Sequence, residues 1–235
     1  MKMRLDKFLS DSTDMSRKDI KQLIRKKCVC VNGELALRPE TQVTETDAVT
    51  VNGDTVVYKE FVYFILNKPQ GYVSATEDRH YPVVTDLIPD KFRHFNVFPV
   101  GRLDIDTEGL LILTNDGELS HSITSPNHNV YKRYFARLDK PAEERDRTEF
   151  MSGMEFKDFT AKPAILDICE NPAEVYVEIA EGKFHQVKRM FERVGKSVVY
   201  LKRTAIGNLT LLDSQKTGEV TEVEKDWLVN AIFGK

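Results

Sequence analysis

The stretch GRLDIDTEGLLILTNDG, residues 101–117, decides how this chain is read. It sets three acids at alternate positions, Asp104, Asp106 and Glu108, and then runs into a continuous apolar segment. Such a run, bounded by turn residues, reads as a buried strand. The acidic loop before it has three local readings. As a calcium loop, DIDTEG supplies acids at the first, third and fifth positions and glycine at the sixth. The twelfth position would be Asn115, where a bidentate Glu is required, and a strand follows where a helix should exit, so that reading fails. A paired-carboxylate glycosidase needs its carboxyls about 5–10 Å apart across a sugar bond, which two acids of one short loop seldom achieve. The remaining reading is a turn whose acids bond their own backbone amides. Asp106 and Glu108 fit it, or pair with Arg102.

Working outward, FVYFILNKPQG (residues 61–71), NVFPV (96–100), VYKRYFARL (130–138), EVYVEIAEG (174–182) and SVVYLKRTAIGNLTLL (197–212) read as further strands. Helices are expected at GELSHSI, at 143–151, at FHQVKRMFERVG (184–195) and at EVEKDWLVNAIF (222–233). Asn115-Asp116-Gly117 reads as a hairpin-type turn. Strands outnumber helices and do not alternate with them, which predicts an α+β fold with a mixed, largely antiparallel sheet flanked by helices. There is neither a Gly-x-Gly-x-x-Gly nor a P-loop, so no nucleotide cofactor is indicated.

The first 60 residues have a different texture. Leu5, Phe8 and Leu9 follow helical spacing, and SRKDIKQLIRKK is a second helix with Ser16 as N-cap and Asp19 in the capping-box place. Ile20, Leu23 and Ile24 form its apolar stripe; Arg17, Lys18, Lys21, Arg25, Lys26 and Lys27 take the rest. Asn32-Gly33 and Asn52-Gly53 each mark a hairpin. The expected boundaries are a small domain at 1–59 and a large one at 60–235. Net charge is only −3, but residues 1–30 hold nine Lys/Arg against four Asp/Glu, and residues 31–60 hold two against six. A basic start masked by later acids is the footprint of a polyanion partner; for an arbitrary helix a solvated face is the plainer account.

Three cysteines without a C-x-x-C argue against a disulfide framework or zinc site and for a cytoplasmic protein. MKMRLDKFLSDSTDM has no apolar h-region, so no secretory leader is expected, and no apolar run is long enough for a membrane span.

GRLDIDTEGLLILTNDG resembles the signature of pseudouridine synthases of the ribosomal small-subunit group. LNKPQGY (66–72) is similar to that family's Lys-Pro-x-Gly element, YKRYFARL carries its Lys-x-Tyr pair as Lys132 and Tyr134, EGKFHQVKRMFERVG (181–195) resembles its basic motif, and YLKRTAIGNLTL its Leu-x-Arg strand. RLDKFL, SRKDIKQLI and VCVNG resemble the S4-type RNA-binding fold. One departure stands out: Lys26-Lys27 occupies the place where S4 modules carry a glycine closing the second helix.

The resemblance implies a cofactor-free isomerisation of uridine to pseudouridine in ribosomal RNA. The C1′–N1 bond breaks, the uracil turns, and C5 bonds to C1′. It implies Asp104 as the catalytic carboxylate and Lys188 as its cationic partner, with Arg189 the neighbouring alternative. It places Tyr134 against the extruded uracil, Arg102 on a phosphate or the flipped nucleotide, and Lys68, Lys132, Arg189 and Leu201 around the bound nucleotide. His185 ranks lower as an acid–base group. Arg4, Arg17, Lys18, Lys21 and Arg25 would hold the RNA. The implied target is uridine 516 of 16S rRNA, free or in an assembling small subunit, and the implied state a monomer. A 23S target, or a non-catalytic rRNA-binding assembly factor, are the competing readings. Burial alone would raise a carboxyl's pKa, but a cation about 4 Å away, at an effective dielectric near 20, contributes about 4 kcal/mol in the other direction.

Overall fold

A computed structural model of the chain describes residues 2–125, 128–211 and 214–234. The chain divides into two compact units, Met1–Val62 with Ile88–Asn96, and Tyr63–Leu87 with Val97–Lys235.

The first unit contains β1 (Met3–Arg4), α1 (Leu5–Ser12), α2 (Arg17–Arg25), β2 (Val29–Val31), β3 (Glu34–Leu35), β4 (Gln42–Val43), β5 (Val49–Val51) and β6 (Asp54–Val56). β1 pairs with β4, and four strands run in the order β3-β2-β5-β6. The turns at Asn32-Gly33 and Asn52-Gly53 have positive φ at both residues, as a two-residue hairpin demands. The Ser16 side chain accepts from the Asp19 amide and starts α2, whose Ile20 and Ile24 are buried with Leu5, Phe8, Leu9 and Val29. The departure at the end of α2 has a definite solution. Lys27 itself takes the left-handed conformation, at φ 59. Its amide bonds Ile24 O, and the Cys28 amide bonds Leu23 O, both at 3.0 Å, which is a Schellman ending with lysine where glycine is favoured.

The second unit is built on β7 (Tyr63–Lys68), β8 (Phe98–Pro99), β9 (Glu108–Thr114), α3 (Gly117–Thr124), β10 (Lys132–Leu138), α4 (Glu144–Ser152), β11 (Met154–Glu155), β12 (Thr160–Ala161), β13 (Ile165–Ile168), β14 (Glu174–Ile179), α5 (Gln186–Arg193), β15 (Val198–Ile206), β16 (Leu209–Thr210), β17 (Val220–Val223) and α6 (Lys225–Phe233). Its sheet runs β13-β14-β10-β15-β9-β7-β17, with β16 on β15 and β8 on β9. Among the described residues all its pairings are antiparallel except β15 with β9. The α+β expectation with a mixed, largely antiparallel sheet therefore describes this molecule. The parallel pair needs close backbone approach: Gly109 has φ +105, and a Cβ there would lie 2.2 Å from Arg203 O. Side chains from β7, β9, α3, α6 and β16, among them Ile65, Leu110, Ile112, Leu119, Ile123, Leu209 and Leu228, form one buried core.

Three local expectations are corrected. The helix predicted over 222–233 begins at Lys225, because Glu222 and Val223 belong to β17 and pair with Phe64 and Tyr63. Edge pairing to β7 overrides the helical pattern. Asn115-Asp116-Gly117 is not a hairpin turn: Asp116 caps α3, its carboxylate accepting from the Leu119 amide and from the Tyr63 hydroxyl. The helix predicted from Phe184 starts at Gln186, and His185 is left-handed at φ 51. The last residue of the predicted 197–212 strand segment, Leu212, lies outside the described residues.

Candidate active site

The acidic loop is pinned from beneath by the end of β7 and the segment that follows it. The Lys68 ammonium is fully buried and donates to three carbonyls, Pro69 at 3.0 Å, Asp104 at 3.1 Å and Thr107 at 2.9 Å. The Gly71 amide bonds Ile105 O at 2.8 Å. The Ser74 hydroxyl both donates to Leu103 O and accepts from the Leu103 amide. A closing turn, Thr107 N–H to Asp104 O at 3.1 Å, completes the loop. The peptide groups of residues 103–107 are thus largely satisfied, which leaves the acid side chains free to point away from them.

They meet α5. That helix buries Val187, Met190 and Phe191, at i, i+3 and i+4, and packs Phe191 on Phe150 of α4 with ring centroids 4.9 Å apart. Its other side carries Lys188. The Lys188 ammonium lies 3.2 Å from Asp104 Oδ2 and 2.6 Å from Asp106 Oδ1. His185 Nε2 is 3.5 Å from Asp104 Oδ1. Burial pushes the Asp106 carboxyl up, but the hydrogen bond and charge of Lys188 outweigh it and leave the group below its ordinary value. Burial likewise lowers Lys188, and the two carboxylates more than reverse this, so its ammonium is held charged above the usual lysine range. Asp106 thus bonds its own backbone, as a turn acid does, and pairs with Lys188 and not Arg102, whereas Glu108 accepts from the Tyr200 hydroxyl at 2.7 Å.

Asp104, Arg102, Tyr134, Leu201, Gln186 and Lys188 line a cavity of about 50 Å³. At about 10–15 Å³ of such space per water, that is room for a few waters, so a pyrimidine needs side chains to part. Tyr134 and Leu201 are brought there by register: Tyr134 sits opposite Arg203 and Ala136 opposite Leu201 on β10 and β15. Arg102 is exposed at the rim and also lines an adjoining cavity of about 90 Å³ with Lys132, Tyr134 and Arg203.

Three expected nucleotide contacts lie elsewhere. Lys68 is beneath the loop. Lys132 is buried, its ammonium donating to Ile123 O and Val130 O. Burial brings both lysines down to about 8; carboxylates of the acidic loop partly offset this for Lys68, and Arg203 adds to it for both. Arg189 turns from Asp104 to a two-pronged pair with Asp158 and stacks on Phe156 and Phe159 at 4.8 and 4.7 Å. Sequence reasoning missed Ser74, Asp106 and the buried Glu181–Gln186 pair; only Asp106, by its alternation with Asp104, gave a sequence signal. A larger hollow, about 1,100 Å³, lies on the opposite face of the sheet. Its Arg133 and Arg137 already face Asp167, Glu178 and Glu174.

In the first unit Arg17, Lys18, Lys21 and Arg25 are exposed on α2. Arg4 instead forks onto Asp6 at 2.8 and 2.9 Å.

This arrangement is accompanied by direct similarity. The profile of RNA pseudouridylate synthase matches residues 62–193, and that of the S4 domain matches residues 3–49. The chain belongs to the RNA pseudouridine synthase family, isomerases acting on RNA, and carries an S4 domain at its N-terminal end. Within that family it is 41% identical over 231 residues to an uncharacterized RNA pseudouridine synthase of Bacillus subtilis, covering 96% of this chain and 97% of that one. It is 40% identical to ribosomal small subunit pseudouridine synthase A of Yersinia pestis, over 92% of this chain and 93% of that protein. The Escherichia coli K12 protein of the same name is 37% identical over 98% and 100%. A crystal structure of a pseudouridylate synthase superposes with a TM-score of 0.68 at 34% identity, covering 98% of this chain and 100% of the other.

Proposed function

We propose that this chain converts a uridine of small-subunit ribosomal RNA, uridine 516 of 16S rRNA, to pseudouridine, with Asp104 as the catalytic carboxylate. The observation that carries the reading is the Lys188 ammonium 3.2 Å from Asp104 at the mouth of a cavity lined by Tyr134 and Leu201. A carboxylate must be ionised to attack or to take a proton, and the Lys188 ammonium fixes this one in place. Lys68 and Ser74 position the loop from below. Tyr134 and Leu201 receive the uracil, and Arg102 holds the flipped nucleotide or its phosphate. Taking that nucleotide out of its stack costs a few kcal/mol, which phosphate contacts by Arg17, Lys18, Lys21 and Arg25 offset. Residues 1–59 thus anchor the RNA in the cytoplasm and residues 60–235 act on it. One chain supplies every member of the cluster, so a monomer suffices. The relatives named ribosomal small subunit pseudouridine synthase A support the choice of target.

The test is Asp104→Asn on a 16S rRNA transcript, with pseudouridine mapped chemically and RNA affinity measured by filter binding. Product falls to background while affinity is retained. Undiminished product would reject Asp104, and a mark found in 23S rRNA of cells expressing the chain would reject the small-subunit target.

A further inference from the structure

The loop between β14 and α5 holds an aromatic pair that the reaction itself does not use. Phe184 is 71% exposed, and its ring lies on that of His185 with centroids 3.9 Å apart and planes 16° from parallel. A single exposed apolar side chain ordinarily needs no explanation. Three features set this one apart. The first is place: His185 Nε2 is 3.5 Å from Asp104 Oδ1, so the stack begins at the reacting carboxylate and ends in solvent. The second is how the loop is held. The buried Gln186 side chain accepts from the Lys183 amide at 3.0 Å and donates to the buried Glu181 carboxylate, which also accepts from the Lys162 amide. His185 takes the left-handed conformation between these anchors, at φ 51. The ring is therefore presented on a tied loop. The third is charge: Lys183 is exposed beside it, and Arg102 and Lys188 line the same cavity.

We propose that the Phe184–His185 ring stack is a platform for an unpaired nucleobase of the RNA strand adjoining the target uridine. The proposal rests on the reading of Asp104 as the reacting group. Every base offers a π-face, and an aromatic ring stacked on another is a ready receiver for it. Extruding one nucleotide leaves its neighbour without a stacking partner, and a platform beside the carboxylate replaces that partner where it is lost. The adjacent cations meet the phosphates of the same strand.

Two measurements test it. In single-turnover pseudouridine formation on a 16S rRNA transcript, Phe184→Ala raises the half-saturating RNA concentration by about 5- to 150-fold (~1–3 kcal/mol at 1.4 kcal/mol per tenfold). Phe184→Tyr and Phe184→Trp stay near wild type, and Phe184→Leu follows the alanine variant. In the second, Phe184→Trp is placed in a Trp227→Phe background and titrated with the same transcript; its fluorescence is quenched along the binding curve. Loss in the alanine variant with aromatic rescue and quenching supports the platform. An unaffected alanine variant, equal loss in the tryptophan variant, or absence of quenching overturns it. If the wild-type chain leaves 16S rRNA unmodified, the functional reading falls. The quenching experiment, repeated with a single-stranded oligouridine, still decides the platform.

Discussion

Replacing Lys188 by Met removes the one ammonium shared by Asp104 and Asp106. Its Nζ stands 3.2 Å from Asp104 and 2.6 Å from Asp106. For the Asp104 pair, Coulomb's law gives about 5 kcal/mol at an effective dielectric of 20 and about 1 kcal/mol in bulk water. The Lys188 and Asp104 side chains are 17% and 27% exposed, so neither limit holds and about 3 kcal/mol is the working value. Losing a tether of this size lets the reacting carboxylate shift, and a misplacement of about 1 Å costs about a hundredfold in rate. The assay is single-turnover pseudouridine formation on a 16S rRNA transcript, with thermal unfolding and RNA affinity as controls. Lys188→Arg restores part of the rate. Lys188→Met combined with Asp106→Asn loses less than Lys188→Met alone, because the orphaned Asp106 carboxylate no longer opposes a second negative charge nearby. A Lys188→Met enzyme that folds, binds RNA and works at the wild-type rate would refute the reasoning and leave the neighbouring cations as sufficient.

Three further outcomes follow from the loop and its supports. Lys68 titrates near 8 and serves three carbonyls only while it carries three protons, so the rate falls as pH rises through about 8; a flat profile from pH 7 to 9 contradicts this. The stability contribution runs the other way: the buried charge opposes the fold most below about 8, and that penalty is relieved as pH rises toward the unfolded lysine's value of about 10.4. Gly109→Ala forces a Cβ to 2.2 Å from Arg203 O at φ +105 and destabilises the fold by about 3 kcal/mol or more, read by urea unfolding. A neutral result there would mean that β9 and β15 do not pair in this register. Lys27→Gly relieves a left-handed lysine and stabilises the chain by about 1 kcal/mol at unchanged denaturant slope; no gain would place that residue outside the Schellman ending.

Much of the fold was legible because its signals are local. Asn32-Gly33 and Asn52-Gly53 specify turn geometry within four residues, and Ser16 caps α2 through its own neighbour Asp19. The apolar run of β7 needs no partner to be recognised. What misled were short segments whose local chemistry serves two ends. An Asx residue before Gly suits a hairpin and a helix cap alike, and Asp116 became a cap because Leu119 follows it on a helix and Tyr63 reaches it across 53 residues. Glu222 and Val223 look helical until β7 offers an open edge.

The sequence by itself determined the family's motifs and their order and the secondary structure of most longer elements, and through the family resemblance it pointed to a basic residue near 188 as the partner of Asp104. Only the tertiary structure decided that Lys188 and not Arg189 faces Asp104, that Asp106 shares that ammonium, and that the buried Lys68 and Lys132 ammoniums donate to backbone carbonyls. The reason is physical. A motif places residues one after another along the chain, whereas the direction of a side chain is set by the helix face it occupies and by what covers it. Asp158 and two phenylalanine rings claim Arg189, and backbone carbonyls claim the two buried lysines.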